Sequence, residues 1–386
     1  AHVRIAKHYK FALSHAFKTH QDAKYVIIVE EDMVVSPDFF EYFRVVGGLY
    51  EVDDSVYCIS TWNDNGFKGR VKDPKRLLRS DFFMGLGWMA SRKIFQDEWV
   101  RNWPDSHWDH WIRDPKNRKG RECIYPEVSR NRNVGRKGEH VDDKFYKRFL
   151  STIQYTEDVE SALSLYDAVK GEQTAYDEEL GKIFQVANIS TPVRDLERHK
   201  KGVFAFYFDD APRRGNHVWE THEKDPWAKL AREFGLWHEF RAFRQGLVRF
   251  WHEDNYLLLV QKDSPAHQAL QQIHGGDEVM RITPGESLAP AGPPKRIVIG
   301  AQQESCTEAC RRHQMRCSEG HLVTLNDCDE MRKYVQCEVC ETNGGGDLPA
   351  KVVAKDHSNY GKCLTNTHPF SCDGSHKVTR RFCPCV

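Results

Sequence analysis

The spacing of apolar residues near the start of the chain predicts an amphipathic helix followed by a buried strand. Over residues 3–19, large apolar side chains recur every four residues, as on one face of a helix: Ile5, Tyr9, Leu13 and Phe17. Residues 25–29 form an apolar run that is too short for a helix, so it predicts a buried strand. Ser36 and Pro37 then have the residue types of an N-cap and a first helical position, so a second helix is predicted there.

Three acidic residues, Glu30, Glu31 and Asp32, directly follow the predicted strand. Adjacent carboxylates at the end of a buried strand repel one another, and a divalent cation with oxygen ligands is a common relief. In open α/β sheets, ligands also collect at the carboxyl ends of strands. The pattern therefore indicates a metal site that bridges to nucleotide phosphates, with a solvated acidic turn as the alternative.

A second chemical focus lies in the aromatic stretch 103–111, where Asp109 is flanked by tryptophans. A carboxylate between aromatic rings is desolvated, which raises its pKa and suits it to act as a general base. Trp108 offers a ring on which the apolar face of a sugar can stack. A helix cap is the alternative role for Asp109.

Two glycine-containing segments indicate close approach to a ligand. Gly85-Leu86-Gly87 has glycines two apart between aromatic residues, a pattern that lets a backbone or ligand come near. Arg136 and Lys137 lie in a loop with a glycine on each side, which suits a lid that closes over a diphosphate. A solvated basic loop is the alternative.

The rest of the chain reads as α+β, then a linker, then a cysteine-rich tail. Strands are predicted at residues 56–60, 203–208, 247–251 and 257–260, with a helix at 227–235. Residues 265–300 contain several Pro and Gly residues and predict a linker or loose extension.

Ten of the twelve cysteines lie between Cys306 and Cys385. This density predicts a disulfide framework formed in an oxidising compartment. Cys337 and Cys340 have the spacing of a zinc-binding pair, but Cys383 and Cys385 do not complete the usual four-ligand site. Zinc is therefore the alternative.

Charge and targeting signals limit the partners. The 386 residues include 56 Lys and Arg and 56 Asp and Glu, so no net charge attracts nucleic acid or an anionic membrane, and no nucleic-acid partner is predicted. No signal peptide, transmembrane run or lipidation motif is present, but the start looks truncated, so a membrane anchor in a longer precursor stays open. The single sequon, Asn188-Ile189-Ser190, agrees with a secretory location.

Residues 25–43 resemble the DxD-type metal motif of the N-acetylglucosaminyltransferase I-like family, which includes the protein O-mannose β-1,2-N-acetylglucosaminyltransferase. The resemblance covers residues 1–263 and is carried by the segments 4–10, 61–66, 81–89, 103–111 and 118–138. The tail, at residues 306–317 and 370–385, resembles the cysteine-rich C-terminus of N-acetylglucosaminyltransferase V.

The resemblance implies an α/β fold with a glycosyltransferase-A-type (Rossmann-like) mixed sheet that lacks its first strand–helix units. It implies a catalytic domain at residues 1–165, a small α+β domain at 166–264, a linker at 265–304 and a disulfide module at 305–386. The implied activity is inverting, metal-dependent transfer of N-acetylglucosamine from UDP-GlcNAc to a mannose hydroxyl of a glycan, in β-1,2 linkage, in the Golgi lumen. Either this sequence is a fragment of a longer chain, or those first units are absent. In the second case a catalytically inactive carbohydrate-binding or structural protein of the secretory pathway is the alternative.

The same resemblance implies roles for single residues. Asp32 would hold Mn²⁺, Glu30 would contact the donor sugar, and Glu31 would support the metal shell. Asp109 occupies the position of the catalytic base, and His110 replaces a second aspartate of the family motif.

The resemblance also implies a donor-binding group and one disulfide. Ile5 would pack near the uracil and His8 by the nucleotide, although on pattern alone His8 is an ordinary helix-face histidine. The other implied donor-site residues are Leu86, Trp108, Arg136 and Lys137. Cys58 would pair with Cys123, with two free buried cysteines as the alternative.

Overall fold

The structure is a computed structural model of the 386-residue chain. It describes residues 2–136, 141–158, 163–193, 196, 201–209, 221–222, 224–284, 294–366 and 370–386. Within these ranges, four side chains are not described: Lys144, Leu165, Tyr166 and Val323.

The chain divides into two compact units. The first contains Ala1–Ile189, Gly202–Glu220 and Glu239–Val279, and the second contains Ser190–Lys201, Thr221–His238 and Met280–Val386. The four predicted parts, with boundaries at 165, 264 and 304, stay predictions.

The described helices and strands are as follows. The helices are α1 (His2–Thr19), α2 (Phe39–Val46), α3 (Leu49–Val52), α4 (Arg92–Ile94), α5 (Val100–Asn102), α6 (Trp108–Arg113), α7 (Pro115–Arg118), α8 (Asp143–Arg148), α9 (Leu165–Val169), α10 (Gln173–Val186), α11 (Pro226–Phe234), α12 (Pro265–Ile273), α13 (Cys306–Arg311), α14 (Glu319–Leu325) and α15 (Cys328–Arg332). A π-helical turn spans Phe95–Trp99, and a 3₁₀ turn spans Leu150–Thr152. The strands are β1 (Tyr25–Ile28), β2 (Met33–Val35), β3 (Val56–Ser60), β4 (Leu77–Ser80), β5 (Trp88–Ser91), β6 (Glu122–Pro126), β7 (Asn131–Asn133), β8 (Val203–Phe208), β9 (Leu247–His252), β10 (Asn255–Gln261), β11 (Arg296–Ile299), β12 (Cys340–Asn343), β13 (Ala350–Val352), β14 (Cys363–Asn366) and β15 (Thr379–Cys385).

A mixed five-stranded sheet, in the order β1-β5-β3-β6-β4, is the centre of the first unit. Strand β5 is antiparallel to both β1 and β3, whereas β3 and β6 are parallel. Strands β1, β3 and β6 therefore run in the same direction, and their carboxyl ends meet at one edge. The predicted strands at 25–29 and 56–60 are confirmed as β1 and β3.

Helices cover both faces of this sheet. Along β1, Val26 and Ile28 pack into the apolar cluster that contains the buried face of α1. Tyr25 and Ile27 point the other way and pack into the cluster that contains the buried face of α2. This alternation, with the parallel and antiparallel pairings of the sheet, confirms the predicted mixed α/β fold.

A smaller sheet in the same unit has the order β8-β10-β9, with β8 parallel and β9 antiparallel to β10. Its apolar residues pack with those of α10 and α12. Helix α12 and strand β11 both lie within residues 265–304, the stretch whose Pro and Gly residues indicate a linker, so this stretch contains regular structure as well.

The second unit contains a five-stranded sheet in the order β11-β15-β13-β14-β12. Five disulfides lie in it: Cys306–Cys383, Cys310–Cys385, Cys317–Cys372, Cys328–Cys340 and Cys337–Cys363. In the first unit, Cys58 is bonded to Cys123, the pair that the resemblance implies. No cysteine is free, so the disulfide framework is confirmed over the zinc alternative.

The start of α2 differs from the prediction. Ser36 is not the N-cap, because its hydroxyl donates a 2.6 Å hydrogen bond to Asp38 Oδ1 and the helix begins only at Phe39. Between the acids and the helix, β2 pairs with β7, with Val35 opposite Asn131. This pairing keeps the chain extended past the acids and delays the helix.

Candidate active site

Loops that follow three parallel strands lie at one edge of the five-stranded sheet. Glu30 follows β1, Thr61 follows β3, and Asn131 lies shortly after β6. The turn that precedes β5 lies at the same edge, because the first residue of β5, Trp88, is opposite the last residues of β1 and β3. The predicted acidic site is therefore at an edge where α/β sheets bind ligands.

Glu30 accepts a hydrogen bond from helix α1. The Tyr9 hydroxyl donates a 2.6 Å hydrogen bond to Glu30 Oε1. The Tyr9 ring stacks on Trp108, with ring centroids 4.0 Å apart. Burial, and next the charge of Glu30, raises the pKa of Tyr9 above its ordinary value, so its hydroxyl keeps the proton that it donates.

Three other carboxylates act electrostatically on Glu30 at this edge. Burial raises the pKa of Glu30, and the hydrogen bond from Tyr9 opposes that rise. Repulsion from Asp32, Glu31 and Asp109 adds to it. A bound cation would relieve this repulsion, because a nearby positive charge favours the ionised form of each carboxylate.

Asp32 lies where the chain enters the ribbon formed by β2 and β7. Its backbone oxygen accepts a 2.7 Å hydrogen bond from the Val134 N–H. Its carboxylate lies against Gly135, since a Cβ added to that glycine would be 2.1 Å from Asp32 Oδ2. The other oxygen, Oδ1, is buried and has no hydrogen-bond partner in the described part of the chain. A buried carboxylate oxygen without a partner fits a hard divalent cation, which prefers oxygen ligands.

Side chains alone do not assemble a complete metal site here. Among the described residues, no group of three or more His, Cys, Asp or Glu side chains is arranged to hold a metal ion. Glu31 is exposed beside Asp32. A cation at Asp32 would therefore need oxygen ligands from a bound molecule or from solvent, and Mn²⁺ stays a prediction.

Asp109 lies in the first turn of α6, next to an ion-pair partner that is one turn further along the helix. Arg113 Nη1 is 2.8 Å from Asp109 Oδ2, and His110 Nε2 is 3.9 Å from the same oxygen. Burial acts to raise the pKa of Asp109, but Arg113 and then His110 outweigh it and hold the pKa below its ordinary value. Desolvation acts in the predicted direction, but the prediction that the pKa of Asp109 is raised is wrong. Its carboxylate is ionised and can accept a proton, and its role as the base stays a prediction.

Trp108 belongs to the apolar core. Its side chain is 7% exposed, and its ring stacks on Tyr9 and on Trp103. The ring is therefore mostly buried rather than open to a sugar, and the donor-binding role of Trp108 stays a prediction. Trp108 connects the site to the core, because it packs against Tyr9 and immediately precedes Asp109.

The turn at Leu86 and Gly87 is fixed by Asn131. Asn131 Nδ2 donates to the Leu86 backbone oxygen at 3.0 Å and to Thr61 Oγ1 at 2.8 Å. Gly87 has a φ of +66°, and a Cβ there would be 2.1 Å from Asn131 Nδ2. Only glycine fits this position, so the loop predicted beside the donor has a defined backbone.

Two predicted nucleotide contacts lie on α1. Ile5 is 39% exposed and lies one turn before Tyr9, on the same face of the helix. His8 is exposed on the turn between them. The contacts of both residues with a nucleotide stay predictions.

The basic loop begins beside Asp32. Arg136, which follows Gly135, is exposed, and its guanidinium lies over the Tyr146 ring at 5.3 Å from the centroid. Lys137 and the rest of the predicted lid up to residue 140 lie outside the described residues.

Three residues of this site were not predicted from the sequence as site residues: Tyr9, Arg113 and Asn131. A tyrosine in an apolar helical stripe carries a hydroxyl that needs a partner, and this signal was available for Tyr9. Arg113 was detectable as the i+4 neighbour of Asp109 on a helix. Nothing local to Asn131 indicates its contacts, because Leu86 and Thr61 come from distant parts of the chain.

The chain belongs to the GNT-I family, because the model of that family matches residues 1–249. The acidic edge and the mixed five-stranded sheet lie within these residues. The model of Glycosyltransferase family 18 matches residues 285–385, the cysteine-rich part. Both resemblances stated from the sequence are confirmed.

A curated relative of the chain is the Alpha-1,3-mannosyl-glycoprotein 2-beta-N-acetylglucosaminyltransferase of Arabidopsis thaliana. The two are 45% identical over 154 residues, which are 40% of this chain and 34% of the relative. The chain thus spans about a third of the length of that relative.

The disulfides indicate the compartment. Six disulfides form and persist in an oxidising environment, which together with the family places the chain in the secretory pathway. None of the described helices has the length and apolar character needed to cross a membrane. Location in the Golgi lumen stays a prediction.

Proposed function

We propose that this chain is part of an inverting, metal-dependent glycosyltransferase of the glycosyltransferase-A type. It transfers N-acetylglucosamine from UDP-GlcNAc to a mannose hydroxyl of a glycan, with a β-1,2 linkage, in the Golgi lumen. Membership of the GNT-I family and the name of the Arabidopsis relative support this choice of donor and acceptor.

The observation that carries the proposal is the convergence of Glu30, Asp32 and Asp109. The first two follow β1 and the third is on α6, yet both Asp32 and Asp109 raise the pKa of Glu30 by repulsion. A single displacement at a sugar carbon needs a base for the incoming hydroxyl and a positive charge for the leaving diphosphate. Carboxylates on two elements can serve these two needs separately.

On the acceptor side, Asp109 is the general base. Its carboxylate takes the proton of the mannose hydroxyl while that oxygen bonds to the anomeric carbon and the bond from that carbon to UDP breaks. Attack on the face opposite the leaving UDP inverts the anomeric configuration. Arg113, 2.8 Å from the carboxylate, keeps Asp109 ionised and oriented.

On the donor side, Asp32 is the residue that would hold Mn²⁺, because its buried Oδ1 has no other described partner. When bound, this ion supplies positive charge that stabilises the leaving diphosphate. Glu30, oriented by Tyr9, contacts the donor sugar, and Glu31 supports the metal shell. Arg136 adds positive charge at the same edge of the sheet.

Calorimetric titration of UDP-GlcNAc, with and without Mn²⁺, tests the donor site. The proposal expects Mn²⁺-dependent binding that is lost in Asp32→Ala. The matched control is Asp22→Ala, which removes an exposed aspartate from the turn before β1. Loss of binding in both variants, or no binding by the folded chain, would contradict the donor site.

The rate of sugar transfer tests whether Asp109 is the general base. With UDP-GlcNAc and a mannose-terminated glycan, Asp109→Asn should reduce the rate of UDP release by about 10²-fold or more, because the carboxylate that accepts the proton is gone. Asp105→Asn, an exposed residue of the preceding loop, should have no such effect. Donor binding without transfer to any mannose-terminated acceptor would favour the catalytically inactive carbohydrate-binding alternative.

A further inference from the structure

The sequon Asn188-Ile189-Ser190 lies on the surface of the folded chain. Exposure alternates over this segment: Ala187 and Ile189 are buried, at 3% and 7%, whereas Asn188 and Ser190 are exposed. Side chains two residues apart in an extended segment point to the same side. The amide that would carry a modification and the hydroxyl of its sequon therefore both face solvent.

The backbone of Asn188 is hydrogen-bonded to strand β8. The Asn188 N–H donates to the Val203 oxygen at 2.8 Å, and the Ala205 N–H donates to the Asn188 oxygen at 3.0 Å. Ala187 and Ile189 anchor the segment in the apolar cluster below this sheet. A group attached to the Asn188 side chain would thus project from a fixed backbone and displace no core residue.

The oxidising compartment in which the disulfides form is also where asparagine side chains are glycosylated. The disulfides indicate passage through an oxidising compartment, where asparagine in Asn-X-Ser sequences is the acceptor for N-linked oligosaccharides. The chain contains one Asn-X-Ser/Thr sequence. Sequence, exposure and compartment therefore agree at a single residue.

We propose that Asn188 is N-glycosylated. Asn188 Nδ2 bonds to the anomeric carbon of an oligosaccharide carried on a lipid diphosphate, the bond from that carbon to the diphosphate breaks, and the amide loses one proton. The lipid diphosphate is the leaving group, and no oxidant or reductant is needed. This modification is independent of the transferase activity proposed above.

The glycan would cover an apolar part of the surface. Val186, two residues before the acceptor, is 69% exposed. A bulky polar group at Asn188 would shield this side chain.

The test is secretion of the whole chain from cultured animal cells behind a cleavable leader peptide, followed by digestion with peptide:N-glycosidase. The digest should increase the electrophoretic mobility of the protein and convert the asparagine of the peptide containing residue 188 to aspartate, as read by mass spectrometry. Asn188→Gln and Ser190→Ala should abolish both effects, whereas Ser190→Thr should keep them. Asn102→Gln, at an exposed asparagine outside any sequon, is the control for the substitution itself.

The same digest of cell lysates keeps the test valid for a variant that is retained in the cell, because the oligosaccharide is attached before secretion. A secreted, disulfide-bonded chain whose mobility and mass are unaffected by the glycosidase overturns the proposal. An unchanged shift in Asn188→Gln overturns it as well.

Discussion

The Tyr9 hydroxyl donates a 2.6 Å hydrogen bond to Glu30 Oε1. This hydrogen bond connects the middle of α1 directly to the acidic turn after β1. The ring of Tyr9 also stacks on Trp108, the residue before Asp109. One side chain therefore connects the carboxylate assigned to the donor with the helix that carries the proposed base.

Replacing Tyr9 with phenylalanine should weaken donor binding. The variant keeps the stacked ring but leaves Glu30 without its hydrogen bond, so the unfolding free energy should fall by about 1–3 kcal/mol. The affinity for UDP-GlcNAc in the presence of Mn²⁺ should fall by about tenfold, because Glu30 is no longer oriented. Calorimetry measures the affinity, and urea unfolding measures the stability.

The control for this variant is Tyr25→Phe. Tyr25 also donates its hydroxyl to a glutamate, Glu51, but at the opposite end of β1. Donor affinities that fall equally in Tyr9→Phe and Tyr25→Phe would show that the Tyr9 bond has no specific role in the site.

Replacing Gly135 with alanine should disturb Asp32. The new Cβ would be 2.1 Å from Asp32 Oδ2, so the carboxylate must move. We expect Mn²⁺-dependent donor binding to weaken by about tenfold or more, with a change in the unfolding free energy of about 1 kcal/mol or less. Gly181→Ala, on α10 with no atom within 4 Å of the added Cβ, should leave donor binding unchanged. Unaltered binding in Gly135→Ala would remove the support for Asp32 as the metal ligand.

Replacing Arg113 with methionine should shift the acid limb of the pH–rate profile to higher pH. Arg113 holds the pKa of Asp109 below its ordinary value against the opposing effect of burial, so its removal raises that pKa. Because the base must be ionised, activity would then begin to fall at a higher pH. Steady-state rates measured across the acid range test this shift. Arg101→Met, at an exposed position on α5, should leave the profile unchanged, and an unshifted profile in Arg113→Met would argue against Asp109 as the base.

His252 should make the first unit sensitive to acid. Burial, and next the charge of Arg70, lowers its pKa from about 6.5 to about 3. Between these values the unfolded chain binds more protons than the folded chain. Its contribution to stability is therefore complete above about pH 6.5 and is lost as the pH falls toward 3, by a few kcal/mol in all.

The variant His252→Gln tests this by removing the titrating group. Urea unfolding of both proteins at several pH values between 6.5 and 4 should show a smaller loss of stability in the variant. Parallel curves for the two proteins would show that His252 does not titrate differently in the folded and unfolded chains.

Much of the acidic edge of the sheet can be predicted from local sequence, because the residues that indicate the strand and the acidic residues are adjacent in the chain. The apolar run at 25–29 and the acids after it predict both β1 and the location of the carboxylates. The disulfide framework likewise follows from cysteine density alone. In these cases burial and charge are encoded within a few residues.

The errors arose where a distant partner outweighs a local preference. Ser36 has the residue type of an N-cap, but pairing of β2 with β7 keeps that part of the chain extended. Trp108 looks like a sugar platform, but its ring stacks on Tyr9. Such outcomes depend on which elements meet in space, which local pattern does not give.

The order of the bonded cysteines along the chain constrains how the disulfides of the second unit form in the cell. Cys306 and Cys310 are bonded to Cys383 and Cys385, which are 77 and 75 residues later in the chain. During synthesis, both thiols emerge before their partners exist, and six other cysteines emerge between them. Early oxidation would join wrong partners, and correcting them requires thiol–disulfide exchange. Yield of this protein in an expression host should therefore follow the capacity for disulfide isomerisation rather than the rate of translation.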